Sequence, residues 1–440
     1  MRSIAQVQTA ASARCQRPFL SDTCLALSCP AISGGLMSET GREAAHHHEE
    51  RLHALDLLRA VAMFLGIVLH AAVSFMVIRL PWLIHDTRRN VGFDVLAGAI
   101  HGFRMQVFFF LAGFFAHLLW LRLGPRGFLL QRGKRIGLPF VLGMIVIVPI
   151  IVGLWLWADM RSGTHFIRRY IDKLTPFDVG TAHLWFLEML LLLYGVVALL
   201  AWAGKQVNAA NLLPRLDRAF EWLMRQRLKP FLLLPPTVLF LWSGPIFGEV
   251  DQLGMRLLPA ARAIAYFGLF FSVGWWMHRC ARLMETLRLW TKTYFAIALI
   301  AFLILGACHA MQVRPTNAEF LRVKVLALTA AGLYAWCMTF ALTGVFLRFA
   351  NEHHPWKRYL ADASYWCYLA HLPLVGFLQI LLAPLALNPW LKFGFVIVVC
   401  VTVLLPSYHW CVRYTWLGRL LNGPRVRPRG ALPAQAGASP

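Results

Sequence analysis

The sequence predicts an all-α, polytopic membrane protein with about ten transmembrane helices in one bundle. Three observations carry that prediction. Of 440 residues, 59% are apolar and only 14% are charged, and the mean hydropathy is +0.59, a profile foreign to soluble globules. Ten apolar segments recur, at 55–78, 93–121, 136–157, 183–203, 230–247, 260–278, 291–311, 323–347, 359–383 and 390–414. Most reach the ~20 residues that a hydrocarbon core of about 30 Å requires. The charges between them alternate. With the N-terminus inside, 28 of the 43 Lys and Arg fall on the inner side and 13 in the outer loops, which orients both termini to the cytoplasm.

The first segment is the most informative. It holds Arg59 and His70, eleven residues apart, with Asp56, Met63 and Gly66 on the same stripe. Eleven residues make almost three helical turns, so the two groups project from one face about 16 Å apart. An ionisable stripe in lipid belongs in a bundle interior and is a functional-site hypothesis by default. The second segment carries His101 and Arg104, the fourth Glu188, and the ninth His371. Counting about 1.5 Å of rise per residue places all four near the level of His70, in the outer half of the membrane. A histidine there suits a general base, and a carboxylate such as Glu188 would orient or polarise it. Taken singly, each has a plainer reading: an intramembrane His bonding a neighbouring helix, or Glu188 pairing with Arg104.

Between the second and third segments the chain reads RLGPRGFLLQRGKRIGLP. Arg132, Lys134 and Arg135 crowd the inner edge, with Arg126 nearby. Arginine forks match phosphate oxygens; from the spacing alone, ordinary positive-inside charge or anionic-lipid contact is the plainer reading. The fifth segment is the weakest, because Pro235 and Pro236 interrupt it. Gly113 permits close helix approach.

The remaining features exclude more than they assign. A formal charge of +23 invites nucleic acid, but the bases sit in short loops between spans. The nine cysteines form no CxxC and no zinc spacing, so no metal or disulfide framework is expected. Residues 1–50, with the His46–His48 triplet, read as a disordered tail, of which 1–36 are equally read as translation from an upstream start. Residues 51–421 form the membrane domain, and 422–440 a second disordered tail. No loop is long enough to bury a core of its own. From the residues alone, an enzyme acting across the membrane and a transporter or flippase moving a glycan or acylated metabolite both remain open. A pure scaffold leaves the ionisable stripe unexplained.

The segments LDLLRAVAMFLGIVLH, HGFRMQVFFFLAGFF, AHLWFLEMLLLLY and SYWCYLAHLPL resemble acyltransferase family 3, the membrane-embedded acyl transferases. The R-x10-H spacing of Arg59 and His70 is the most specific element, followed by R-x-x-R at Arg132 and Arg135. The likeness covers roughly 52–421 and is strongest to the glucan-succinylating branch. It implies a bacterial inner-membrane enzyme that moves an acyl group from cytoplasmic acyl-CoA, succinyl-CoA or acetyl-CoA, to a hydroxyl of an extracytoplasmic glucan or polysaccharide. Acyl-CoA would be a co-substrate, with no permanently bound cofactor. The resemblance implies that His70 takes the hydroxyl proton or carries the acyl group itself, that Arg59 lines the donor passage or stabilises charge, and that Arg132 and Arg135 hold donor phosphates. The matched depths would set His101, Arg104 and His371 against substrate. One departure stands out: Ala112 precedes Gly113 where many relatives have Ser-Gly.

Overall fold

The computed structural model describes residues 39–162, 180–206, 211–244, 257–311, 318–350 and 354–423, with backbone alone over 39–52. Among these, every regular element is helical. The α-helices of seven or more residues are α1 (Glu39–Val73), α2 (Val91–Arg132), α3 (Leu138–Ser162), α4 (Trp185–Gln206), α5 (Leu212–Arg225), α6 (Leu234–Leu241), α7 (Ala261–Arg279), α8 (Thr291–Ala310), α9 (Phe320–Phe349), α10 (Pro355–Leu382), α11 (Pro389–Ser407) and α12 (Trp416–Asn422). The chain is an all-α, multi-pass membrane protein. The His46–His48 side chains and the tails 1–38 and 424–440 lie outside the residues described.

Among the described residues, seven helical stretches are long and apolar enough to cross a bilayer, and the longest, Val91–Ser162, contains two of the expected segments, α2 and α3. Its helix breaks at Gly124, whose φ of 66° suits a residue without a Cβ, and Pro125 follows. A π-helical turn, Gly133–Gly137, then leads into α3. The fifth expected segment is interrupted next to its prolines. A short helix, Lys229–Leu232, ends at Leu233, and Pro235 and Pro236 fall in the first turn of α6, which starts at Leu234, where a missing N–H is harmless. At about 12 Å, α6 is too short to cross alone.

Packing follows side-chain size. Helix α2 lies along α7, α8 along α9, and α10 against α3 and α11. At the α2–α7 seam a Cβ on Gly113 would strike the Phe271 carbonyl, and one on Gly274 the Phe110 carbonyl. The two backbones therefore touch, the close approach that small residues allow in lipid. Faces turned away from the bundle carry exposed Ile145, Leu299, Leu303 and Val398, an apolar surface suited to acyl chains.

Candidate active site

Helix α1 supplies His70 near its C-terminal end. The imidazole is half-buried and stacks on Trp82 with centroids 5.4 Å apart and planes within 3°. On another side lies His371 of α10, 5.3 Å away between centroids. His371 in turn meets His183 at 5.2 Å. Arg104, His101 and His183 are all within electrostatic reach of His70. The Arg104 guanidinium passes over Gly66, one turn before His70, and a Cβ there would collide with it. Gly66 therefore makes room for Arg104 on the stripe that the sequence singled out.

His183 was not among the residues singled out, because it sits at the edge of its span and reads as a boundary. Two backbone features hold it. It lies in a 3-10 turn, Ala182–Leu184, preceded by Ala182 at φ 48°, a left-handed conformation that an L-residue adopts at a cost of about 1–2 kcal/mol. Its Nε2–H donates to the Leu369 carbonyl at 3.1 Å. That carbonyl is available because Pro373, four residues on within α10, has no N–H to offer it. Tyr368 completes the clasp, its hydroxyl donating to the His183 carbonyl at 2.6 Å.

These bonds also decide which nitrogens remain open. A carbonyl oxygen only accepts, so the His371 Nδ1 that meets the Tyr368 carbonyl at 2.6 Å carries the proton, and Nε2 of the neutral ring keeps its lone pair. By the same argument His183 keeps a lone pair on Nδ1. Both of these nitrogens, and the Nε–H of Arg104, are buried without a hydrogen-bond partner. Buried polar atoms are nearly always satisfied, so three open valences within one cluster mark a place for a polar substrate.

Glu188 is placed differently. It is buried and accepts from Thr181 Oγ1 at 3.3 Å. Among the described residues no hydrogen bond or ion pair joins it to an imidazole or to Arg104. It braces the turn that bears His183.

Arg59 stands about three turns from His70, toward the other end of α1. It pairs with Asp56 at 3.2 Å and lies over the Phe115 ring at 5.5 Å. Together with His53, His354, Lys357 and Arg358 it lines a small, partly open pocket of about 140 Å³. Arg132 lies over the rings of Phe128 and Tyr194, at 5.8 and 5.4 Å, and both Arg59 and Arg132 act electrostatically on Tyr194. Arg135 is close enough to feel Arg132, and its carbonyl accepts from the Tyr365 hydroxyl at 3.0 Å. Tyr365, Tyr368 and His371 are spaced by three residues along α10. They form one polar edge leading from the arginine end to the histidine end. Among the described residues no group of three metal-ligating side chains occurs.

Comparison with known proteins agrees with this architecture. A family model described as an acyltransferase domain matches residues 52–409. Proteins called Glucans biosynthesis protein C, from Shigella dysenteriae serotype 1 (strain Sd197) and Escherichia coli (strain K12), are each 24% identical over 396 residues, covering 86% of this chain and 96% of theirs. No solved structure matches the chain. Since the family model spans far more than half of the sequence, the protein belongs to acyltransferase family 3 and is a membrane acyltransferase.

Proposed function

We propose that this enzyme takes an acyl group, succinyl or acetyl, from acyl-CoA at the Arg59 end and delivers it to a hydroxyl of a glucan or other polysaccharide at the His70 end. In this reading the Arg59 end faces the cytoplasm of a bacterial inner membrane, and both termini lie there. The observation that carries the reading is the set of open valences around His70: two imidazole lone pairs and one guanidinium N–H. The glucan acceptor is suggested by the names of the relatives and by the sequence resemblance.

The chemistry follows from the groups present. An acceptor hydroxyl gives its proton to the free nitrogen of His70 as its oxygen bonds to the thioester carbonyl carbon. The oxyanion that forms faces Arg104, whose charge stabilises it. The carbon–sulfur bond then breaks, and the thiolate leaves with the proton from His70. His371 and His183 accept hydrogen bonds from neighbouring acceptor hydroxyls. Arg132, Arg135 and Arg59 hold the donor's phosphates at the opposite mouth. A relay in which His70 itself carries the acyl group uses the same positions. Incubation with donor alone separates the two routes, since only the relay leaves acylated His70 for mass spectrometry.

The direct test is mass spectrometry of periplasmic glucans and envelope polysaccharides from a deletion strain beside its parent. The expected result is loss of one acyl mass from one polymer. Identical spectra in all polymers would remove the polysaccharide acceptor. A topology reporter fused after Leu421 should read cytoplasm; a reading from the other side would reverse the donor and acceptor faces.

A further inference from the structure

The last carbonyls of a helix have no intrahelical donor, and α1 ends three residues after His70. A side chain from α10 meets them. Gln379, 1% exposed, donates from Nε2 to the carbonyls of His70 and Ala71, each at 3.0 Å. Its Oε1 accepts the indole N–H of Trp82 at 2.8 Å. Trp82 is the residue whose ring lies flat on the His70 imidazole, at a spacing normal for offset stacking. One amide therefore caps the last turn of the helix that carries His70 and fixes the ring that covers it.

The segment carrying Trp82, between α1 and α2, is itself fastened at several points. Ser74 Oγ donates to the Ile84 carbonyl at 2.9 Å, and the Asp86 N–H to the Ser74 carbonyl at 2.9 Å. Asp94 of α2 accepts the N–H groups of Val77 and Ile78, both at 2.9 Å. The buried pair of Asp86 and Lys392, 2.6 Å apart with side chains 1% and 0% exposed, joins the segment to α11. The segment is a strap, and Trp82 is its point of contact with the imidazole.

We infer that Gln379 and Trp82 are positioning residues for His70: together they fix the plane of its ring and close one of its faces to reactants. The inference rests on the reading of His70 as the group that handles the hydroxyl proton. A base held in one plane keeps its lone pair on a single line, and small errors in that line are expensive in rate.

The test uses the full chain purified in detergent and two measurements. The first is the rate at which diethyl pyrocarbonate modifies His70, followed by peptide mass spectrometry; it needs neither donor nor acceptor. The second is kcat and donor KM for acyl transfer. Trp82→Ala is expected to speed modification of His70 several-fold and to lower kcat by about tenfold or more while donor KM holds. Trp82→Phe keeps an aromatic cover and loses only the indole bond, so it should restore most of the protection. Gln379→Glu still accepts from Trp82 but cannot donate to the two carbonyls. It should raise both the modification rate and the width of the pH–rate profile with Trp82 in place. Modification of His70 at the wild-type rate in both Trp82→Ala and Gln379→Glu would overturn the inference. Failure of Trp82→Phe to protect better than Trp82→Ala would also overturn it. If instead His70→Ala retains acyl transfer, the catalytic reading fails, whereas the modification rates still report on the cover.

Discussion

The two ends of the membrane-spanning part of α1, His53–Val73, treat their polar groups in opposite ways. Around His70, imidazoles are pinned by backbone carbonyls: His371 by Tyr368, one turn back on its own helix, and His183 by Leu369 of α10. Each pin consumes one nitrogen and leaves the other open. Around Arg59, the cations lean on Phe115, Phe128 and Tyr194 or on a carboxylate three residues away. Ring faces attract a cation without fixing the direction of its N–H groups. The first environment can aim a lone pair and suits proton transfer. The second can hold an anion of variable pose and suits a flexible, multiply charged donor.

Variants should separate the two ends. The largest effect is expected from His70→Ala, which should lower kcat by about 10²–10⁴ with abundance unchanged; a purified variant with near-normal turnover would dissolve the distinction between the ends. Next comes Gly66→Ala. Its methyl group displaces Arg104, and a misplacement of about 1 Å is expected to slow transfer by up to about a hundredfold. Steady-state rates check this, and an unchanged kcat would mean that Arg104 is not needed where it lies. Arg132→Ala with Arg135→Ala should act on the other end, raising donor KM about tenfold, as the loss of charge-assisted bonds to phosphate implies, while kcat holds. A fall in kcat with KM unchanged would place those arginines on the same side of the comparison as His70. The smallest effect belongs to Ala182→Gly. Relief of the left-handed Ala182 should stabilise the fold by about 0.5–1 kcal/mol, read as a higher unfolding temperature. The freer turn should lower activity slightly through His183.

Much of this was legible in the sequence because lipid makes polar residues conspicuous. The R-x10-H stripe, the levels of His101, Arg104 and His371, and the paired arginines all stand out against apolar neighbours. What the sequence hides is direction. Glu188 reads as a partner for histidine, yet its contact is Thr181, since rise along a helix gives depth but not the face presented. His183, at the edge of its span, reads only as a boundary. Its signal was indirect: Pro373 leaves the Leu369 carbonyl without its helical donor, so another donor has to reach that carbonyl. Trp82 and Gln379 are separated by 297 residues, and no local pattern links them. The prolines of the fifth segment do mark a break, which falls at Leu233 just before them. Pro235 and Pro236 are disruptive inside a helix and favourable in its first turn, so they locate the new start.

The strap over His70 also sets an order of events during synthesis. Its anchor Lys392 lies 306 residues after Asp86, and Gln379 lies 309 residues after His70. At ribosomal speeds of 5–20 residues per second, about 15–60 s pass between the emergence of that histidine and of the groups that cover it. The nascent chain thus carries an open, unfinished centre through most of its insertion into the bilayer, and the penultimate and last long helices complete it.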